Sequence, residues 1–401
     1  MSSAVLNQAA RVLKLVEAGT PADQALRESL TQDRHFTAPA ARRQISHAVF
    51  TTFRWLRWLD PKDSHQKQIA AALTLQERFN QNESSFKPEA LAARAVPDWL
   101  KAEIDPLPVE WLRQLQREPA LWIRAKSGSA IALMKKLSHC RPASLPQFPT
   151  LGSQLSALHY SGLTDLYRTR EFQAGEFEIQ DLASQLVSLA CAPRPGETWW
   201  DTCAGEGGKS MHLADLMQNK GLLWATDRSA RRLAKLKARA ARAKVFNYRA
   251  AEWDGGAKLP TKTKFDGILI DAPCSGVGTW QRNPHARWTT TPKDVHELAV
   301  VQTNLLNHAA PALKSGGRLI YSVCTLTRTE TVEVTARFTA EHPEFEPASV
   351  WPNSEIKKEE LGIKNADKVL PPSSFLTPNS ALLWPHDLNA NGMFIAAWRR
   401  K

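Results

Sequence analysis

The stretch TWWDTCAGEGGKSMHLADLMQNKGLLWATD, residues 198–227, decides the fold. Thr198 to Asp201 reads as a short strand, Gly205, Gly207 and Gly208 supply a turn, and a helix follows. Leu222 to Thr226 forms a second strand, ended by Asp227. Strand, glycine turn, helix and strand in that order make one unit of a doubly wound α/β sheet. Working outward, Phe265 to Ile270 and Arg318 to Val323 are apolar runs suited to buried parallel strands, and Met393 to Trp398 closes the chain as another. The alternation begins near residue 175.

The chain ahead of it reads differently. The first 85 or so residues are helical, with Gly19, Thr20 and Pro21 as a stop and restart signal and an amphipathic helix from about Arg42, where Ile45, Val49, Phe53 and Leu56 share a face. Helical patterning recurs from Trp99 to Leu115 within a mixed segment. Three parts are therefore expected: a helical domain over 1–85, a mixed segment over 86–170, and an α/β domain over 171–401.

Composition bounds the partners. The 401 residues carry 52 Lys plus Arg against 40 Asp plus Glu, a net +12, with a charged fraction of 23% and a hydrophobic fraction of 43%. Those fractions exclude a disordered chain, a collagen-like rod and a coiled coil. No apolar run is long enough for a transmembrane helix. The N-terminus lacks the basic, apolar and small-residue parts of a signal peptide and is read as structure. Five cysteines without zinc-like spacing point to no metal, no disulfide framework and a cytoplasmic setting. The charge is concentrated: Arg228 to Lys264 holds twelve basic residues against Glu252 and Asp254, so +10 of the +12 lies in that stretch. A polyanionic partner fits it, and so does a solvated basic face.

The turn DTCAGEGGKS, 201–210, with Asp227 at the next strand end placed for ribose hydroxyls, argues for a cofactor containing adenosine. It is neither GxGxxG nor a P-loop, because Cys203 stands where the first P-loop glycine belongs. ATP is thereby disfavoured, and S-adenosylmethionine and NAD remain.

The choice comes from two cysteines. DAPCSGVG, 271–278, follows one apolar strand and YSVCTLT, 321–327, follows the next, so Cys274 and Cys324 stand on loops at strand carboxyl ends, where open α/β sheets bind ligands. A thiolate is a soft nucleophile suited to C6 of a pyrimidine. That addition makes C5 nucleophilic enough to take a methyl group from a sulfonium. One cysteine must attack and a second can assist release, while a carboxylate such as Asp271 hydrogen-bonds the base edge. Hydride transfer to NAD has no use for such a pair.

These motifs resemble the RsmB/NOP/Sun (NSUN) family of RNA cytosine-C5 methyltransferases, over about residues 96–401. FQAGEFEIQDLASQL (172–186) is similar to its G-x-F-x-x-Q-D-x-x-S entry motif, and DTCAGEGGKS to its D-x-C-A-A-P-G-G-K-T loop. DAPCSGVGTWQRNP (271–284) resembles its D-A-P-C-S-G-x-G-x-x-R-R-x-P block and IYSVCTLTRTE (320–330) its Y-S-T-C-T block. The first 85 residues faintly resemble a shortened NusB-like domain of the bacterial rRNA members.

The resemblance implies a Rossmann-like class I S-adenosylmethionine-dependent methyltransferase domain. It also implies that Cys324 is the nucleophile and that Cys274 promotes release, with Lys209 and Asp271 beside the base. For the cofactor it implies Asp201, Cys203, Ala204, Gly205, Glu206, Gly207, Gly208, Lys209, Asp227, Arg232 and Asp271, with Glu252 or Asp254 at adenine. Glu206 departs from the family's proline, Lys126 from an asparagine, Gln281 from an arginine and Val323 from a threonine. The expected partner is RNA, ribosomal before transfer RNA, bound by a monomer; a methyltransferase-like assembly factor without catalysis is the alternative. Trp280 and Trp288, near Arg282 and Arg287, are candidates to stack on a base.

Overall fold

The computed structural model describes residues 1–32, 38–145, 155–352, 375–377 and 379–401. It divides into two compact units, Met1–Pro119 with Thr279–Thr291, and Ala120–Gly278 with Pro292–Lys401. The first thus runs past the expected boundary at residue 85 and recruits a distant segment.

In the first unit, α1 (Ser3–Glu17), α2 (Ala22–Gln32), α3 (Pro39–Arg54) and α4 (His65–Gln81) bury Ala9, Val12, Leu13, Ile45, Ala48, Val49 and Ile69 against one another. Gly19, with φ +100°, ends α1 in a conformation that costs other residues more, and α2 starts three residues on. Each Leu or Ile buried in this way contributes about 1.5–3 kcal/mol. Trp55, Phe79 and Phe86 make a second core, with ring centroids 5.0–5.6 Å apart. The continuous helical pattern expected over Trp99 to Leu115 resolves into a 3₁₀ turn, Asp98–Ala102, and a short helix, Val109–Gln114. Pro106 and Pro108 between them remove two amide donors and break the run.

Trp280 and Arg287 belong to this unit's interior. Trp280 is fully buried and edge-on to Trp99, so it is closed to a base. Arg287 is also fully buried, donating to the carbonyls of Ala95 (3.0 Å), Leu115 (2.9 Å) and Arg54 (3.5 Å). Trp288 is half-buried and donates its indole N–H to Phe53 O at 2.7 Å. Gln281, at one of the departures, is buried and accepts from Gln114 at 3.2 Å. The pattern WQRNPHARW looked like an exposed RNA contact because tryptophan and arginine are shared by stacking surfaces and by cores with carbonyls to satisfy.

The second unit holds two sheets. Strands β1 (Leu121–Ala125), β2 (Cys140–Pro142), β3 (Ala157–Tyr160) and β4 (Phe177–Ile179) pair antiparallel in the order β2-β3-β1-β4. The larger sheet is built on five parallel strands: β5 (Thr198–Asp201), β6 (Leu222–Asp227), β7 (Tyr248–Glu252), β8 (Phe265–Asp271) and β9 (Leu313–Val323). β10 (Phe345–Pro347), β11 (Phe375–Thr377), β12 (Ser380–Leu383) and β13 (Met393–Arg400) extend it antiparallel. The full order is β11-β12-β13-β9-β8-β5-β6-β7, with β10 on β13. The apolar runs of β8 and β9 are completely buried at Ile268, Leu269, Ile270, Leu319 and Ile320. Because β5, β6, β8 and β9 are parallel, Asp201, Asp227, Asp271 and Val323 all end at one edge. Among the described residues no helix is long and apolar enough to cross a membrane, and no cluster of His, Cys, Asp and Glu has the makings of a metal site.

Candidate active site

The loops leaving β8 and β9 bring Cys274 and Cys324 together, with their sulfurs 3.3 Å apart. The backbone sets this up: Ala272 N donates to Ser322 O at 3.0 Å and Gly278 N to Cys324 O at 3.1 Å, so the two loops are zipped on both sides of the pair. Beside them Lys209 Nζ lies 2.8 Å from Asp271 Oδ2, and Ser322 Oγ donates to Asp271 Oδ1 at 2.9 Å. One carboxylate is thus aimed by an ammonium from the glycine turn and a hydroxyl from β9.

The electrostatics separate the two thiols. A hydrogen bond from Cys274 holds Cys324 below the ordinary cysteine value, against burial and the charges of Asp271 and Glu330, with Lys209 assisting. The same bond, burial and the neighbouring charges of Cys324 and Glu330 drive Cys274 well up. Cys324 is therefore the more acidic thiol of the pair and Cys274 the more basic. Burial opposes the Lys209 charge, but Asp271, with smaller help from Cys324 and Asp201, holds the ammonium above its ordinary pKa.

A cavity of about 290 Å³ opens beside the cysteines. Of the residues anticipated from sequence it is lined by Cys203, Asp227, Arg232, Asp254, Asp271, Cys274 and Cys324. Burial pushes the Cys203 thiol up to about 12, which leaves it a neutral wall. Asp227 is buried, and its carboxylate accepts from Gly205 N at 3.0 Å, Ser229 N at 2.9 Å and Arg232 at 3.2 Å. The amide bonds fix its orientation, while the half-exposed Arg232 side chain is exchangeable. Gly207, with φ +86°, starts the helix Gly208–Leu216, and a Cβ there would stand 2.7 Å from Leu236 Cγ.

Other anticipated residues stand apart from the cavity. Asp201 is buried behind the turn with Ser210 Oγ 2.6 Å from Oδ2, and burial raises its carboxyl to about 7. Glu206 turns away from the cavity and pairs with Lys235 at 2.5 Å, and that partner holds its carboxyl below the usual range. Between the two acids offered for adenine, Asp254 lines the cavity and Glu252 does not. Trp253, Val301 and Leu305 also line it and were not anticipated. Val301 and Leu305 are i and i+4 on the helix Pro292–Ala309, Val301 41% exposed and Leu305 buried; that apolar spacing was the signal available.

The basic helix Ala230–Ala243 buries Leu233, Leu236, Ala240 and Ala243 as its pattern indicates. Four of its cations are engaged: Arg232 with Asp227, Lys235 with Glu206, and both Arg239 and Arg242 with the buried Glu178. Arg228, Arg231 and Lys237 are exposed.

The cavity fits S-adenosylmethionine. An oriented carboxylate for a diol, Asp227, and an apolar wall of Trp253, Val301 and Leu305 for a purine line it together, and the glycine turn is tied to it through Gly205 N on Asp227. Three carboxylates, Asp227, Asp254 and Asp271, outnumber the two cations of the lining, Arg228 and Arg232, a balance that suits a sulfonium better than a pyrophosphate or triphosphate.

The chain is similar in sequence and in fold to known proteins. "Probable ribosomal RNA small subunit methyltransferase B" of Bacillus subtilis is 38% identical over 235 residues, 58% of this chain and 50% of that protein. The protein of the same description from Synechocystis is 32% identical over 332 residues, 80% of this chain and 68% of its own length. "Ribosomal RNA small subunit methyltransferase F" of Cronobacter sakazakii is 34% identical over 238 residues, 58% of this chain and 46% of its own. The chain thus spans about half of the first and third of these relatives. Among solved structures, PH0851 superposes over 100% of this chain and 99% of its own with a TM-score of 0.77 at 21% identity. NSun6 from Pyrococcus horikoshii with SFG covers 76% of this chain and 97% of its own at 0.61 and 21%. Both show the fold. The profile of the family described as "16S rRNA methyltransferase RsmB/F" matches residues 188–399 of the 401, more than half of the chain, and the chain belongs to that family.

Proposed function

We propose that this chain is an S-adenosylmethionine-dependent RNA (cytosine-C5)-methyltransferase acting on ribosomal RNA through a covalent adduct on Cys324. The observation that carries the reading is the thiol pair, 3.3 Å apart beside the Lys209–Asp271 pair on the rim of a cavity that fits the cofactor.

When bound, S-adenosylmethionine supplies an electrophilic methyl group. Cys324, the more acidic thiol, adds its lone pair to C6 of a cytosine, and the ring electrons displaced toward N3 become available at C5. Asp271 and Lys209 hold that ring edge, where the negative charge develops. C5 takes the methyl group as the sulfonium's S–CH3 bond breaks to leave a neutral thioether, the C5 proton leaves to a base, and the returning electrons expel Cys324 as a thiolate. Cys274, protonated 3.3 Å away, donates a hydrogen bond to that leaving thiolate and lowers the cost of its departure. The alternative of a binding factor without catalysis rested on Glu206, and the turning of that side chain toward Lys235 leaves the cavity free of its charge.

The test is direct. The chain is incubated with small-subunit rRNA and labelled S-adenosylmethionine, and the RNA is digested to nucleosides. Label in 5-methylcytidine, lost in Cys324→Ala, is the expected result. Label in another nucleoside, or full activity of Cys324→Ala, contradicts the reading, and label on tRNA alone moves the substrate class.

A further inference from the structure

We infer that Glu330 is a positioning residue for the cysteine pair, clamping the loop that bears Cys274 to the loop that bears Cys324. The inference rests on the reaction proposed above for the use of that pair. Its carboxylate is completely buried and, among the described residues, forms no ion pair. A buried carboxylate without a cation persists only where hydrogen bonds replace its water, and here they are all supplied by the two loops and one helix. Oε1 accepts from Ser275 N at 2.8 Å and from Gln302 Nε2 at 2.9 Å; Oε2 accepts from Thr327 Oγ1 at 2.8 Å and from Ser275 Oγ. Ser275 Oγ also meets Thr325 Oγ1 at 2.9 Å, and Gln302 Nε2 reaches Pro273 O at 2.9 Å. Both chain neighbours of Cys274, and Thr325 next to Cys324, are therefore tied to one network. Tyr321 OH donates to Glu330 O at 2.7 Å and closes it from β9.

Charge alone does not explain the residue. The groups facing Cys324 are Cys274, Lys209, Asp271 and Glu330, and those facing Cys274 are Cys324, Glu330 and the buried Tyr321. The negative charge of Glu330 makes both thiols less acidic, which works against a nucleophile. Its contribution to the reaction is geometric, and the two effects have opposite signs that an experiment separates.

Glu330→Gln keeps the shape but removes the charge and turns an N–H toward a donor, so the clamp opens. Thr327→Val removes one tie and keeps the charge, and it serves if the first variant folds poorly. Two readouts need no RNA: binding of phenylarsine oxide, which bridges two thiols held close together, and the pH midpoint of iodoacetamide alkylation at Cys324. The third is the single-turnover rate of adduct formation at saturating rRNA and S-adenosylmethionine. Glu330→Gln is expected to bind the arsenical roughly tenfold more weakly, to form adduct roughly 10-fold to 100-fold more slowly with an unchanged KM for RNA, and to raise the midpoint by less than Cys274→Ala does, because the lost charge offsets part of the loosened thiol contact. Thr327→Val, which keeps the charge, is expected to weaken arsenical binding, slow the adduct and raise the midpoint, because nothing offsets the loosened thiol contact. Unchanged arsenical binding in both variants, or faster adduct formation in Glu330→Gln, overturns the inference. Absence of adduct in the unmodified chain contradicts the proposed reaction instead, and leaves the arsenical result to decide the clamp.

Discussion

Removing Cys274 should make Cys324 a poorer thiolate. The hydrogen bond between their sulfurs, at 3.3 Å, is the largest single influence lowering Cys324 from the ordinary 9.0, and only Lys209 assists it. Hydrogen bonds to charged groups contribute about 1.5–3 kcal/mol, and a sulfur donor lies at or below the low end. Taking about 1.4 kcal/mol, the loss is worth about one pKa unit. With the donor gone, burial, Asp271 and Glu330 outweigh Lys209, so the Cys324 value should rise above that of a free cysteine. The assay is the rate of iodoacetamide alkylation at Cys324 against pH, followed by peptide mass spectrometry. Cys274→Ala should move the midpoint up by about one unit, and Cys274→Ser, which keeps a donor, should restore most of the shift. The reciprocal Cys324→Ala should lower the Cys274 midpoint, because the bond and charge that raise it are removed together. An unchanged midpoint in Cys274→Ala, or one that falls, refutes the assignment of donor and thiolate.

Four further outcomes are expected. Lys209→Met leaves Asp271 without its ammonium in a nearly closed site, and urea unfolding should show a loss of about 3 kcal/mol; a loss below about 1 kcal/mol would mean the pair is solvated. Asp201 has its folded value raised to about 7 from 3.8, so the folded state holds a proton that the unfolded state gives up. Stability from that proton is complete below about pH 4 and lost as pH rises through 7, and Asp201→Asn should flatten the pH profile in that window and stabilise the fold at pH 8. At the basic helix, Arg228, Arg231 and Lys237 are exposed and form no ion pair among the described residues, and replacing all three by Gln should reduce the salt slope of RNA binding by about 2. Arg239→Gln should instead lower stability, because it strips a partner from the buried Glu178.

The sheet and the cysteine pair were legible because strand endings carry local signals. Apolar runs stop at Asp201, Asp227, Asp271 and Val323, and residues placed just beyond four parallel strands must share one edge. The parts that escaped the sequence depend on distant partners. Nothing local says that Trp280 packs on Trp99 or that Arg287 serves carbonyls at 54, 95 and 115, so a buried cluster read as an RNA surface. Glu206 looked like an intrusion into the cofactor loop because its partner Lys235 lies a full helix away. Glu330 carried no signal, since a carboxylate six residues after Cys324 looks like any helix-capping acid until Ser275 and Gln302 are seen on it. Asp254 and Glu252, two residues apart near a strand end, were separable only by where the turn after β7 sends each of them.

The measurement that bears most directly on the reaction is the capture of its intermediate. Cys274→Ala, which lacks the proton donor needed for release, is incubated with small-subunit rRNA and S-adenosylmethionine, denatured, treated with nuclease and analysed by mass spectrometry. A methylated cytidine nucleotide attached to the peptide containing Cys324 is expected, as is its disappearance when Cys324 is also replaced by Ala. A nucleotide on any other residue, or methylated RNA produced at the full rate by Cys324→Ala, would contradict it.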